Sequence, residues 1–197
     1  MKAILFDLDG VLVDACDWHY HSLNDALAYF SGIQIEYSDH ISKFNGLPTR
    51  TKLKMLGIEP EEQKKIWKMK QDRTLSNIRK FGRLDKYKIK MLKILKEEGY
   101  ILICVTNSIR KTAEEMLKVT GQMPFFDKII SNEDVKNNKP HPDCYLLAMS
   151  LFSIKKEECL IVEDSTIGKE AAHKSGARVL EVEDIYDVTL DNLRRFL

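Results

Sequence analysis

Two carboxylates two residues apart, Asp7 and Asp9, with Gly10 directly behind them, close an apolar run in the first fourteen residues, Met1-Lys-Ala-Ile-Leu-Phe-Asp7-Leu-Asp9-Gly10-Val-Leu-Val-Asp14. If Ala3 to Phe6 form a buried strand, side chains two apart share a direction, so both acids reach one crevice at the strand's carboxyl end. Such a pair invites a hard divalent cation such as Mg2+, which prefers oxygen ligands. Its charge would keep a carboxylate ionised and ready to attack a phosphorus centre. Asp and Gly are equally the ordinary residues of a turn after a strand, and these positions alone leave both readings open.

Three later segments carry compatible chemistry. Val105-Thr106-Asn107-Ser108 places a hydroxyl and amides where a helix is about to begin, a corner suited to phosphate, although a helix cap by Asn107 or Ser108 explains the same residues. Lys139, in Asn137-Asn-Lys-Pro-His-Pro-Asp143, is a compact charge suited to a transferring phosphoryl group, on a loop stiffened by flanking prolines; the plain alternative is a solvated lysine. Glu163-Asp164, followed by Ser-Thr-Ile-Gly168, puts two more acids after an apolar run, able to complete a metal site begun by Asp7 or to cap a helix.

The elements that must position these groups alternate. Apolar runs at Ala3–Phe6, Ile101–Val105, Lys128–Ile130, Leu160–Val162 and Arg178–Val182 have the Ile, Val and Leu content of buried parallel strands. Helical patterns over Lys88–Glu98, Lys111–Val119, Asp143–Leu151 and Gly168–Ser175 separate or follow them, the first and last stopped by Gly99 and Gly176. This predicts an α/β fold, a Rossmann-like doubly wound parallel sheet whose crevice lies beyond the carboxyl ends of its strands. One stretch breaks the alternation. From Cys16 to Arg83 the periodicity is helical, with Leu23, Ala26, Leu27 and Phe30 on one pattern and a long helix opened by Pro60 bearing Ile66, Trp67 and Met69. The expected division is a core of residues 1–15 and 84–197 with an inserted small helical cap, residues 16–83, over the crevice.

Bulk composition narrows the partners. The 197 residues are 44% hydrophobic, enough for a proper core, and 31 Lys and Arg against 30 Asp and Glu leave a net charge of +1, so no global field favours nucleic acid or a membrane. No apolar segment reaches the span of a bilayer and no signal-type N-terminus is evident, which makes the expected location cytoplasmic. Cys16, Cys104, Cys144 and Cys159 show no C-x-x-C pairing and read as reduced thiols.

In combination, Asp7-Leu-Asp9-Gly10-Val11, then Thr106-Asn107, then Lys139-Pro140, then Glu163-Asp164 with Gly168, Ala171, Ala172 and Gly176, the chain resembles the haloacid dehalogenase superfamily. An insert between the first and second motifs is similar to the type 1 capped subgroup that holds beta-phosphoglucomutase and many small-metabolite phosphatases. The resemblance implies that Asp7 attacks phosphorus and that Asp9 protonates the departing oxygen and then deprotonates water. It further implies that Mg2+ is held by Asp7, the Asp9 main-chain carbonyl and Asp164, with Glu163 acting from behind or through water. Thr106 and Lys139 would stabilise the equatorial oxygens, with Gly10 and Asn107 beside the bound phosphate. In the cap, His19 matches a histidine that faces the catalytic acid, and Arg50 an arginine that binds a distal anion; the plain alternative for both is a surface group.

Within that superfamily, Asp9 and the Glu163-Asp164 pair count against carbon–halogen hydrolysis. Phosphonate hydrolysis would need a desolvated cap lysine, and the sequence marks neither Lys52 nor Lys54 as one. The expected function is a Mg-dependent phosphatase of a small phosphorylated metabolite, first of all a phosphosugar. It would work as a monomer with no nucleic-acid or membrane partner. A sugar-phosphate mutase and a non-catalytic phosphometabolite-binding protein are the alternatives.

Overall fold

The computed structural model describes residues 1–197. Its centre is β1 (Ala3–Phe6), buried along its whole length because it is flanked on both edges and covered on both faces. β1 pairs in parallel with β2 (Ile101–Val105) and β4 (Cys159–Glu163), so that Ala3 sits opposite both Ile101 and Cys159. β3 (Lys128–Ile130) and β5 (Arg178–Glu181) close the edges, giving the order β3-β2-β1-β4-β5. Three of the five strands have the ends their apolar runs predict; β4 is longer by one residue at each end and β5 shorter by one.

Alternation along β1 divides the core. Ile4 and Phe6 point to one face and pack with Met91, Leu92 and Leu95 of α5 (Lys86–Glu97) and Ala113, Met116 and Leu117 of α6 (Arg110–Val119). Ala3 and Leu5 point to the other, against Tyr145 and Ala148 of α7 (Asp143–Leu151) and Ala171 and Ala172 of α8 (Thr166–Ser175). A short α9 (Leu190–Arg194) places Leu193 in the first of these clusters.

From Cys16 to α5 the elements are all helical: α1 (Cys16–Ser31), one-turn α2 (Tyr37–Asp39), a π-helical turn at His40–Phe44, α3 (Thr49–Met55) and α4 (Pro60–Phe81). Gly32 stops α1 in the left-handed conformation, and Pro60 opens α4 where its missing N–H costs nothing. These helices bury a separate cluster that includes Leu23, Ala26, Leu27, Leu53 and Ile66. Lower on α4, Leu75 and Ile78 belong instead to the sheet's cluster, so this helix is rooted in both.

Candidate active site

All the strands that carry predicted site residues end at one crevice, and the helical segment closes over it to leave a cavity of about 780 Å³. Asp7, Asp9, Gly10, His19, Arg50, Thr106, Asn107, Lys139 and Asp164 all line it, while Glu163 is fully buried behind. Asp9-Gly10 forms a turn, and the same two residues line the crevice. Gly10 N–H donates to the Val13 carbonyl at 2.8 Å with φ of +87°, and a Cβ there would meet Asp164 Oδ2 at 2.2 Å, so glycine lets the turn pass beside the acid.

Asp7, only 7% exposed, accepts from Lys139 Nζ at 2.7 Å. The same ammonium donates to the Val105 carbonyl at 2.9 Å and to Glu163 Oε1 at 2.5 Å, and Tyr145 Oη donates to that glutamate oxygen as well. Burial opposes the Lys139 charge, but Asp7 and Glu163 outweigh it and hold the amine protonated. One lysine does not balance the acids around it. Oxygens of Asp7, Glu163 and Asp164 lie within 4.8 Å of one another. Burial, with Glu163 adding to it, pushes Asp7 well above the usual carboxylate range and Asp164 up to about 7. Oδ1 of Asp164 is buried without a hydrogen-bond partner. Crowded oxygens, an orphaned acceptor and excess negative charge suit a hard divalent cation.

Asp9 is held differently. It accepts from Ser108 Oγ at 2.9 Å, lies 3.5 Å from Thr106 Oγ1, and meets His19 Nε2 at 2.9 Å. Behind the imidazole, Lys70 Nζ lies 2.9 Å from Nδ1. Burial lowers Lys70 to about 7; while it is protonated it can only donate, so Nδ1 is then the acceptor and the ring proton sits on Nε2, facing Asp9. Burial and then Lys70 push His19 down, in keeping with a neutral ring. Burial works against the Asp9 carboxylate, yet His19 and Ser108 outweigh it and bring it to about 2.

Asn107 and Ser108 do not cap α6, whose first residue follows Ile109. Asn107 Oδ1 instead accepts the Lys139 N–H at 3.1 Å, and its Nδ2 reaches the Gly46 carbonyl of the helical segment at 3.0 Å. Nor do the acids cap α8; Ser165 accepts the Gly168 N–H there. Arg50 is exposed, 5.8 Å over the Trp67 ring. One expectation is corrected: Lys52 is desolvated, 7% exposed on the cavity wall, because α3 turns it inward beside Leu53, while Lys54 is exposed. Sequence reasoning also missed Lys70 and Tyr145. Lys70 lies at i+4 from Ile66 and i−4 from Thr74, both buried on the same stripe of α4, and that spacing was the available signal.

Comparison with known proteins agrees with this geometry. The family model for haloacid dehalogenase-like hydrolases matches residues 4–182. A phosphorylated carbohydrates phosphatase of Thermotoga maritima is 28% identical over 191 residues, 95% of this chain and 85% of that protein. The pyrophosphatase PpaX of Bacillus velezensis is 31% identical over 190 residues, 92% and 83% of the respective chains. Among solved structures, beta-phosphoglucomutase from Clostridium difficile matches 100% of this chain and 96% of its own with a TM-score of 0.86 at 21% identity, a likeness of fold.

Proposed function

The chain belongs to the haloacid dehalogenase-like hydrolase family, and from that premise we propose that it is a Mg2+-dependent phosphatase of a small phosphorylated metabolite, a phosphosugar first of all. The observation that carries this reading is the convergence of Asp7, Asp9, Lys139 and Asp164 on one enclosed cavity. The names of the sequence relatives, a carbohydrate phosphatase and a pyrophosphatase, favour hydrolysis over transfer to a sugar hydroxyl.

In this mechanism a carboxylate oxygen of Asp7 attacks phosphorus, the bond to the ester oxygen breaks, and an aspartyl-phosphate forms. Lys139, 2.7 Å from Asp7, and the Thr106 hydroxyl receive the equatorial oxygens, where negative charge concentrates in the transition state. A phosphate ester alongside Asp9 raises its pKa by charge repulsion, so that it can protonate the departing oxygen, and as a carboxylate it then takes the proton of the attacking water. That second displacement cleaves the acyl phosphate and restores Asp7. Asp7, Asp164 and the Asp9 carbonyl would hold Mg2+, with Glu163 supporting from behind. When bound, the ion supplies neutralising charge and polarises phosphoryl oxygens. Residues 16–83 serve as the cap that excludes water from the cavity and reads the rest of the substrate.

Phosphate release from a panel of phosphorylated metabolites tests the proposal. Release that requires Mg2+ and falls at least about a thousandfold in Asp7→Asn is expected, as for loss of a covalent nucleophile. Isomerisation of a hexose 1-phosphate dependent on a bisphosphate primer, without net release, would sink the hydrolase assignment.

A further inference from the structure

The net charge of +1 conceals a segregation. Of the 33 residues from Lys64 to Lys96, thirteen are Lys or Arg and only Asp72 and Asp85 are acidic, so this stretch carries +11 and the remainder of the chain −10. Two of the thirteen, Lys70 and Lys88, are buried, and Lys96 is half-buried against Asp127. Of the ten that are exposed, only Arg79 and Lys93 form ion pairs, with Glu115 and Glu97. The other eight fall into two groups. Lys64, Lys65, Lys68 and Arg73 follow the face of α4 opposite its buried stripe of Ile66, Thr74 and Ile78. Lys80, Arg83, Lys86 and Lys90 surround the corner where α4 gives way to α5.

The same corner exposes apolar surface. Phe81, Leu84 and Tyr87 are 50, 64 and 56% exposed within seven residues of chain, and Leu84 lies against Gly121, two residues before the exposed Met123. The Lys80 ammonium lies 4.9 Å from the centre of the Phe81 ring. Of the nearby acids, Asp85 caps α5 by accepting the Lys88 N–H at 2.9 Å and Glu115 is paired with Arg79, which leaves the corner strongly positive.

We propose that this corner docks on the surface of an anionic lipid bilayer. The cations gather over the negatively charged headgroups, Phe81, Leu84 and Tyr87 enter the outer edge of the acyl layer, and the lysine stems follow them while their ammonium groups stay among the phosphates. The charge of −10 carried elsewhere is repelled by the same surface, so the molecule arrives in one orientation. Composition favours a bilayer over nucleic acid. Six of the eight unpaired cations are lysines, point charges and not bidentate phosphate forks, and Leu84 and Met123 have no ring on which a base could stack. A two-fold contact with a second copy would set like charges against each other. None of the eight cations and none of these apolar residues lines the catalytic cavity, so docking leaves it open, and the proposal does not rest on the phosphatase reading.

The test is flotation with vesicles of phosphatidylcholine alone and of phosphatidylcholine with about a third phosphatidylserine, at low and at high salt. Binding at least about tenfold tighter to the phosphatidylserine vesicles, weakening as salt rises, is expected. Lys80→Glu, Lys86→Glu and Lys90→Glu together should weaken it on the order of a hundredfold, the scale of three charges at such a surface. Phe81→Ser, Leu84→Ser and Tyr87→Ser together should weaken it about tenfold or more, through the apolar area no longer inserted. All six side chains are exposed, and melting curves check that both variants are folded. No binding to phosphatidylserine vesicles, equal binding to both kinds of vesicle, or binding that survives either triple substitution would overturn the proposal. So would tighter binding to a single-stranded or duplex oligonucleotide that the serine substitutions leave unchanged, since that would make the corner a site for a polyanion and not for a bilayer.

Discussion

The protonation of Asp9 is set by contacts from elements distant in sequence. His19, on α1, meets one oxygen at 2.9 Å, and Lys70, on α4, holds the ring so that its proton faces the acid. Removing the imidazole removes a group that favours the carboxylate, so Asp9 rises from about 2 toward its ordinary value. His19→Ala is therefore expected to move the acid limb of the pH profile for hydrolysis of the aspartyl-phosphate, the step in which Asp9 acts as base, to higher pH. It should also lower kcat by roughly tenfold to a hundredfold, as for impaired acid–base catalysis. An acid limb that stays in place would show that His19 does not govern Asp9. Sequence reading reached Asp7, Asp9, Thr106 and Asp164 because they close apolar runs, and Lys139 because prolines mark its polar loop, all local signals. Lys70 escaped it because Lys64, Lys65 and Lys68 make that stretch of α4 look like a solvated face, and its partner lies 51 positions away.

Among the elements, α4 decides how the helical segment and the sheet cooperate. Its first half shares a cluster with Leu23, Leu27 and Leu53, and its second half shares one with Met91 and Leu95. Across this junction Arg79 meets Glu115 at 2.7 Å and Gln71 approaches Thr112 at 3.5 Å, both on α6. Leu27, fully buried, belongs only to the upper cluster, so Leu27→Ala is expected to cost about 2–5 kcal/mol there. Hydrogen exchange should show amide protection falling over residues 16–70 while β1, β2 and β4 keep theirs. Equal losses everywhere would mean that the chain opens as one unit. Strands were legible because a central parallel strand is apolar on both faces and needs no partner to be recognised. The one-turn α2, the π-helical turn and α3 were not, since three to seven residues hold too little periodicity, and α3 takes its place from Leu53 meeting the helices around it.

At the scale of the molecule, the crowded acidic centre is a cost to stability that a bound cation would relieve. Asp164 is lifted from its ordinary 3.8 to about 7, so between those values the folded chain holds a proton that the unfolded chain has lost. The Asp164 contribution to stability without metal then declines as pH rises from about 4 through about 7, the sign required wherever the native state binds more protons, while His40, held down to about 3 by burial, contributes in the opposite sense. On the proposed reading Mg2+ would act in the opposite sense to Asp164, because it would replace the proton at neutral pH and be displaced by it in acid. At about one hundred times its dissociation constant it should add about 2.7 kcal/mol. For a chain of this length that corresponds to a rise in melting temperature of roughly 5–10 °C at pH 7.5. The rise should shrink as pH falls below about 7 and be largely lost in Asp164→Asn. That variant should also melt higher than the parent when metal is chelated, since it deletes one of the three crowded carboxylates. A parent protein whose melting temperature does not respond to Mg2+ while Asp164→Asn leaves it unchanged would show that Asp7, Glu163 and Asp164 carry no strain for a metal to relieve.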